Sequence, residues 1–154
     1  MAEIVVRPLA PNDHAQWLPL WAGYNAFYGR VGETALAERV TQTTWSRFLD
    51  PQEPVHGLAA ECDGILVGIA HYLFHRNTNA IEPSCYLQDL FTAEPARGRG
   101  VGRALIEAVY RAAKAAGSAR VYWHTHETNA TAIALYERLA ERPGFVVFRT
   151  TIAP

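Results

Sequence analysis

The chain has 154 residues, about half of them apolar, and a formal net charge of −1 at pH 7. That length makes one domain, 1–154, large enough for a packed core. The near-neutral balance excludes a general electrostatic pull toward nucleic acid or an anionic membrane, so any recognition of phosphate has to be local.

Residues 3–7 read as a short strand ended by Pro8. Asn12 or Asp13 supplies an N-cap for a helix carrying Trp17, Leu18, Trp21, Tyr24 and Phe27, and Pro19 is placed to kink or split it. Gly29 and Gly32 mark a break. Leu36, Val40, Thr44 and Phe48 recur every four residues, a second helix that stops before Pro51. A strand at 57–62, the turn pair Asp63-Gly64 and a strand at 65–74 make a hairpin signal. After a turn at Asn77, Thr78 and Asn79 comes a strand at 86–92. A helix carrying Leu105, Ile106 and Val109 runs until Gly117. A strand at 120–125, a helix at 128–141 and a strand at 145–150 complete the order β-α-α-β-β-β-α-β-α-β. The fold class expected is α+β, a mixed and mostly antiparallel sheet flanked by helices, with one parallel step.

Cys62 and Cys85 have neither metal-ligand spacing nor a disulfide framework. In a meander a middle strand separates them, beyond the reach of a disulfide, so both are expected reduced in or near the core. No window has the length of a membrane span, and Met1-Ala2-Glu3-Ile4 lacks the basic-then-apolar start of a secretion signal. The expectation is a cytoplasmic protein that binds neither membrane nor, lacking an extended basic stripe, nucleic acid.

Between the strand at 86–92 and the following helix lies Arg97-Gly98-Arg99-Gly100-Val101-Gly102. Glycines let the backbone approach phosphate oxygens, free N–H groups bind them, and a helix N-terminus adds positive potential. Arg97, Arg99 and Arg103 add charge-assisted donors. The dinucleotide fingerprint fails, because Arg103 stands where its third glycine belongs, and no Gly-Lys-Ser/Thr follows for a Walker loop. A tight turn alone explains one or two of these glycines but not three, alternating and flanked by arginines.

The segment 97–102 resembles the R/Q-x-x-G-x-G/A signature of the GNAT superfamily of N-acetyltransferases. Leu87-Gln88-Asp89-Leu90-Phe91-Thr92 is similar to that family's fourth strand, and Asn129, Ala132 and Leu135-Tyr136 to its later N-x-x-A-x-x-L/F-Y helix. Residues 71–76 and 85–90 further resemble the branch of yeast-type histone and D-amino-acid acetyltransferases, close to the diamine and polyamine enzymes. The resemblance implies a GNAT fold with splayed central strands and acetyl-CoA as co-substrate. Its pyrophosphate would lie on Arg97, Gly98, Arg99, Gly100, Val101 and Gly102, and its pantetheine on the backbone of Leu90, Phe91 and Thr92 and beside Asn129. Asn129 reads equally well as a helix cap. Dimers are common among such folds, so a homodimer is an added expectation.

Acetyl transfer to an amine requires a neutral nucleophile, a polarised thioester and a proton for the departing thiolate. A primary amine with pKa near 10.4 is neutral in about one molecule in 2,500 at pH 7, a penalty of about 4.6 kcal/mol. Tyr136 is the candidate acid; its alternative is packing with Ile133 and Leu139 on an apolar helix face. Polyamine acetyltransferases of similar sequence carry Glu where Gln88 stands, and Gln takes no proton. That leaves Asp89, on the opposite sheet face by strand alternation, and Glu82, in the preceding loop, as candidates to assist or to bind the ammonium. Gln88, Tyr28 and His124 are candidates for contacting the acceptor, a small-molecule or peptide amine. His124 and His126 share a face if their strand persists, but no third ligand is near, so no metal is expected. His71 and His75 read as structural, and Trp21, Tyr24, Phe27 and Tyr28 as acceptor-site wall or core. The competing function is a non-catalytic CoA-binding sensor or structural module.

Overall fold

Asp63 and Gly64 both adopt positive φ, 52° and 79°, the conformation of a two-residue type I′ turn, whose twist matches that of the strands it joins. The turn sets Cys62 opposite Ile65 and thereby the register of the hairpin. It lies in the first of two units in the computed structural model, which describes residues 2–154. That unit runs to Trp123, and the second is His124–Pro154.

The first unit is a five-stranded sheet in sequential order. Strands β1 (Ile4–Pro8), β2 (Val55–Cys62), β3 (Ile65–His75) and β4 (Ser84–Thr92) are antiparallel, and β5 (Val121–Tyr122) adds parallel to β4. Helices α1 (His14–Phe27) and α2 (Glu38–Leu49) precede β2, and α3 (Val101–Ala115) joins β4 to β5. The expected mixed sheet is thus present. β5 ends at Tyr122, short of the strand expected over 120–125. Beyond it the His126 ring binds the hydroxyl and N–H of Thr128, a local turn that competes with extended pairing.

The two faces of the sheet carry different helices. Ile69 packs into a core of Trp17, Leu20, Trp21 and Tyr24 from α1, joined by Trp45 and Phe48 of α2. On the other face a Cβ at Gly68 would meet Val101 at 2.7 Å and Leu105 at 3.1 Å, so glycine there lets the first turn of α3 lie against β3. The buried stripe Val101, Leu105, Ile106, Val109 and Ala113 is the helical face that seats α3. Burying each large side chain contributes about 1.5–3 kcal/mol. Together these contacts fix where the glycine loop stands on the sheet.

Pro19 sits within α1 without dividing it. Asp13 occupies the N-cap position, but its carboxylate makes no cap bond. It accepts the Ala10 N–H at 2.7 Å and both Nη groups of Arg7 at 2.7 and 2.9 Å, tying β1 to the start of the helix. Cys62 and Cys85 are free, buried and separated by β3, and burial pushes the Cys85 thiol up to about 11. No helix among the described residues is long and apolar enough to cross a membrane.

In the second unit, α4 (Ala130–Leu139) is followed by residues without helix or strand. The strand expected over 145–150 is not formed, and Phe145 and Phe148 are about nine-tenths exposed. Its alternating apolar pattern is real, but an extended segment with no ladder partner leaves its own N–H and C=O groups to solvent.

Candidate active site

The strand-to-helix loop begins with Gly98 at φ 76° and Gly100 at φ 83°, left-handed conformations that favour glycine. Gly100 is the N-cap of α3 and has no side chain to offer the helix. The first helical bond runs from Ala104 N–H to the Gly100 carbonyl. Among the described residues, no hydrogen bond uses the N–H groups of residues 98–103. A 15-residue helix therefore points an uncapped, positively polarised end outward.

The arginines serve differently from the sequence expectation. Arg97 folds back, its Nε donating to the Thr92 carbonyl at 3.1 Å and its guanidinium resting over the Phe91 ring. Arg99 reaches Cys62 Sγ at 3.6 Å. Arg103 pairs with Glu107 along the helix at 2.9 Å. The open donors at this loop are therefore backbone N–H groups, and the three side chains are engaged beside them.

Leu90, Phe91 and Thr92 pair on one edge with Ala70, Ile69 and Gly68. On the other edge β5 pairs only with Cys85 and Tyr86. From Leu87 onward that edge of β4 has no strand partner among the described residues, the splaying that the resemblance implied. An extended ligand carrying amides can supply the missing bonds. Gly23 of α1 belongs to the same wall, since a Cβ there would strike the Phe91 ring at 2.7 Å.

Asp89 lies directly opposite His71 and is buried with it. Their side chains meet at 2.9 Å, Nδ1 to Oδ2. The other ring nitrogen, Nε2, takes the Trp17 indole N–H at 3.1 Å. An indole can only donate, so Nε2 is the acceptor and the proton sits on Nδ1, aimed at Asp89. Tyr24 is the second neighbour: its phenol is raised, first by burial and then by the charge of Asp89 and a hydrogen bond to it. The His71 N–H is the donor that the structure sets on the Asp89 carboxyl. His71, expected to be structural, is the residue that orients it.

The register jumps at this point. His71 faces Asp89 while Tyr72 faces Leu87, so Gln88 is an extra residue, a β-bulge, and it is exposed. Bulges interrupt alternation and re-aim side chains, which removes the basis for placing Gln88 and Asp89 on opposite faces. Glu82 is exposed in the loop before β4. Five residue steps along the strand separate Ser84 from Asp89, about 16 Å, so Glu82 stands at the end of β4 away from the glycine loop.

The aromatic run of α1 divides. Trp17, Trp21 and Tyr24 stack in succession with centroids 5.6 Å apart and are buried, whereas Phe27 and Tyr28 are exposed. The first three are core; the last two face outward at the helix end. Sequence reasoning passed over the neighbour of Tyr28, Arg30, whose guanidinium lies over the rings of both Tyr24 and Tyr28. The signal available was its position one residue past Gly29, where the chain turns back on the helix.

In the second unit, Asn129 occupies the N-cap position of α4 without a side-chain cap bond. Its Nδ2 donates to Thr125 at 3.2 Å, so capping is not what its amide does. Tyr136 lies on α4, half-buried on the same stripe as Ile133 and Leu139. His124 is exposed and lies beyond the end of β5. No cluster among the described residues has the donors to hold a metal ion.

Comparison with known proteins agrees with this geometry. The profile of the acetyltransferase (GNAT) family matches residues 17–140. The chain is 38% identical over 148 residues to a D-amino-acid N-acetyltransferase of Saccharomyces cerevisiae, covering 95% of this chain and 89% of the relative. Among solved structures it resembles the aminoglycoside acetyltransferase AAC(6′)-Iy in complex with a CoA-linked bisubstrate analogue (TM-score 0.83, 19% identity, 99% and 100% of the two chains). It also resembles a ribosomal-protein-alanine N-acetyltransferase from Brucella melitensis biovar Abortus 2308 (TM-score 0.75, 18% identity, 97% and 100%). An uncapped helix start after a glycine loop, a strand edge left open beside it and a profile match across most of the chain agree: this protein belongs to the GNAT acetyltransferase family.

Proposed function

We propose that the chain transfers an acetyl group from acetyl-CoA to the primary amine of a small acceptor, with amino acids the first class to try given the 38% identical relative. The observation that carries this is the run of unused N–H groups at the start of α3 beside the open edge of β4. Phosphate oxygens suit the first and the amides of a pantetheine arm suit the second. Gly98 and Gly100 have open space where a Cβ would stand, so the loop admits a bulky anion. Acetyl-CoA supplies an activated acetyl thioester when bound.

The chain's own groups supply the rest. Residues 98–103 hold the pyrophosphate through the backbone, and Leu90, Phe91 and Thr92 align the arm. Asp89, held by His71, receives the acceptor's ammonium and takes part in its deprotonation, directly or through water. Gln88, exposed at the bulge, positions the amine. Tyr136 donates its phenolic proton to the leaving thiolate, a modest demand for a leaving group with pKa near 8.5, and Asn129 contacts the arm.

The test is release of free thiol from acetyl-CoA across simple amines, both enantiomers of several amino acids and a lysine peptide, with CoA binding measured in parallel. Turnover with any amine supports the enzyme. CoA binding with no turnover on any class would instead identify a binding module.

A further inference from the structure

Arg30 is held as if for a ligand, yet no carboxylate pairs with it among the described residues. Its backbone N–H donates to the Asn25 carbonyl at 2.9 Å and its Nε to Asn25 Oδ1 at 2.6 Å. Asn25 is itself buried, 5% exposed, and anchored by its Nδ2 to the Trp21 carbonyl at 2.9 Å. The guanidinium carbon lies 5.7 Å from the Tyr24 ring centre and 5.5 Å from that of Tyr28. Nε is thus consumed, while Nη1 and Nη2, the fork that grips a carboxylate through two parallel bonds, make no hydrogen bond among the described residues.

Pre-orientation matters energetically. A free arginine loses much rotamer freedom on binding a ligand, whereas one already clamped at Nε and flanked by two rings has lost most of it on folding. A cation near the end of α1 also suits the helix dipole, but that role needs neither the buried amide nor an open fork.

Tyr24 links this cation to Asp89. Burial and then the nearby charge of Asp89 raise the phenol of the ring that carries Arg30 on its face. Tyr24 stacks on Trp21 with ring centres 5.6 Å apart, Trp21 lies 5.3 Å from the His71 ring, and His71 meets Asp89 at 2.9 Å, so the cation and the carboxylate flank one aromatic cluster. An α-amino acid with one hydrogen bond at each end reaches about 9 Å. A simple amine of the same size would leave the arginine fork empty.

We propose that Arg30 is the specificity residue for the acceptor, binding the carboxylate of an α-amino acid whose ammonium lies at Asp89. The inference rests on the acetyltransferase assignment for its consequence but not for its measurement, since acceptor binding is read separately from turnover. The probes are the two enantiomers of phenylalanine, their primary amides, and phenethylamine. They are titrated calorimetrically into the full-length chain and into Arg30→Gln and Arg30→Lys, and then assayed for acetylation.

In the native chain at least one enantiomer binds about 10- to 100-fold tighter than its amide, the range for a charge-assisted contact. Arg30→Gln abolishes that difference while shifting phenethylamine by less than about threefold. Arg30→Lys restores only part of it, because the fork is lost. Equal binding of acid and amide, equal weakening of all three ligand classes by Arg30→Gln, or no binding of either amino acid would overturn the assignment. Selective binding without acetylation leaves Arg30 in place and removes amino acids as the acetylated class. Acetylation of amides as efficiently as acids does the reverse.

Discussion

A double-mutant cycle between Trp17 and His71 measures how firmly the buried chain beneath Asp89 is held. His71→Leu is close in volume but removes two hydrogen bonds, one at 3.1 Å from Trp17 and one at 2.9 Å to Asp89. The Trp17 indole, wholly buried, is left with an unsatisfied N–H, which costs about 1–3 kcal/mol, and Asp89 loses a charge-assisted donor worth about 1.5–3 kcal/mol. The single variant should therefore lose about 3–5 kcal/mol, a large part of the 5–15 kcal/mol that holds an ordinary domain. Trp17→Phe removes the donor and part of the stack with Trp21, about 2–4 kcal/mol. In the double variant the orphaned N–H no longer exists, so its loss should fall short of the sum by about 1–2 kcal/mol. Urea unfolding followed by far-ultraviolet circular dichroism reads all four corners of the cycle. Additivity within about 0.5 kcal/mol would refute both the bond and the tautomer assigned to His71.

Four further outcomes are expected. Gly102→Glu, at a helical glycine outside the left-handed region, should weaken CoA binding at least tenfold by placing a carboxylate at the helix start, with an unchanged dichroism spectrum; undiminished calorimetric affinity would remove the loop from the site. Gly100 is unsuitable for this test, because φ 83° strains any side chain. Tyr136→Phe should lower kcat by about 10²–10⁴ and leave the CoA dissociation constant within twofold, whereas parallel losses of melting temperature and activity would mark a packing residue. Gln88→Glu should shift the kcat/KM profile for the best amine toward neutral pH, and identical profiles would leave deprotonation to Asp89 or to water. Stability should fall on acidification in two steps: Arg7 holds Asp13 below its ordinary 3.8 and burial holds His56 below 6.5. Both are depressed in the folded state, so each contribution is present above the unfolded pKa and lost as pH falls through the folded one. Melting temperature should decline below about pH 6.5 and again below about pH 3.8, the second decline shrinking in Asp13→Asn.

What was legible in the sequence was local. Asp63-Gly64 names its own turn, the four-residue spacing from Leu105 to Val109 names one face of α3, and the glycines at 98 and 100 name a backbone that ordinary side chains resist. The apolar alternation at 145–150 misled, because a strand is a property of two segments and the pattern describes only one. Likewise His124 and His126 alternate correctly, but the His126 ring is spent on Thr128. The pairing of His71 with Asp89 spans 18 residues, across an irregular loop whose length does not determine register. Arg30 was overlooked for the same reason, since its meaning depends on Asn25 and Tyr24 being turned toward it.

The bulge at Gln88 shows how one local irregularity serves the whole site. An unbroken β4 carries a fixed alternation, so moving one carboxylate to a new face means moving every side chain with it. One extra residue lets Leu87 keep its buried place opposite Tyr72 while Asp89 falls opposite His71. The pairing of β4 with β5 stops at Tyr86, two residues before the bulge, as expected if the added bend carries the following residues away from the neighbouring strand. The open edge of β4 and the oriented carboxyl of Asp89 are then two results of a single insertion. A glutamine at position 88 is compatible with such a site, because the carboxyl one residue along already has its donor and its direction.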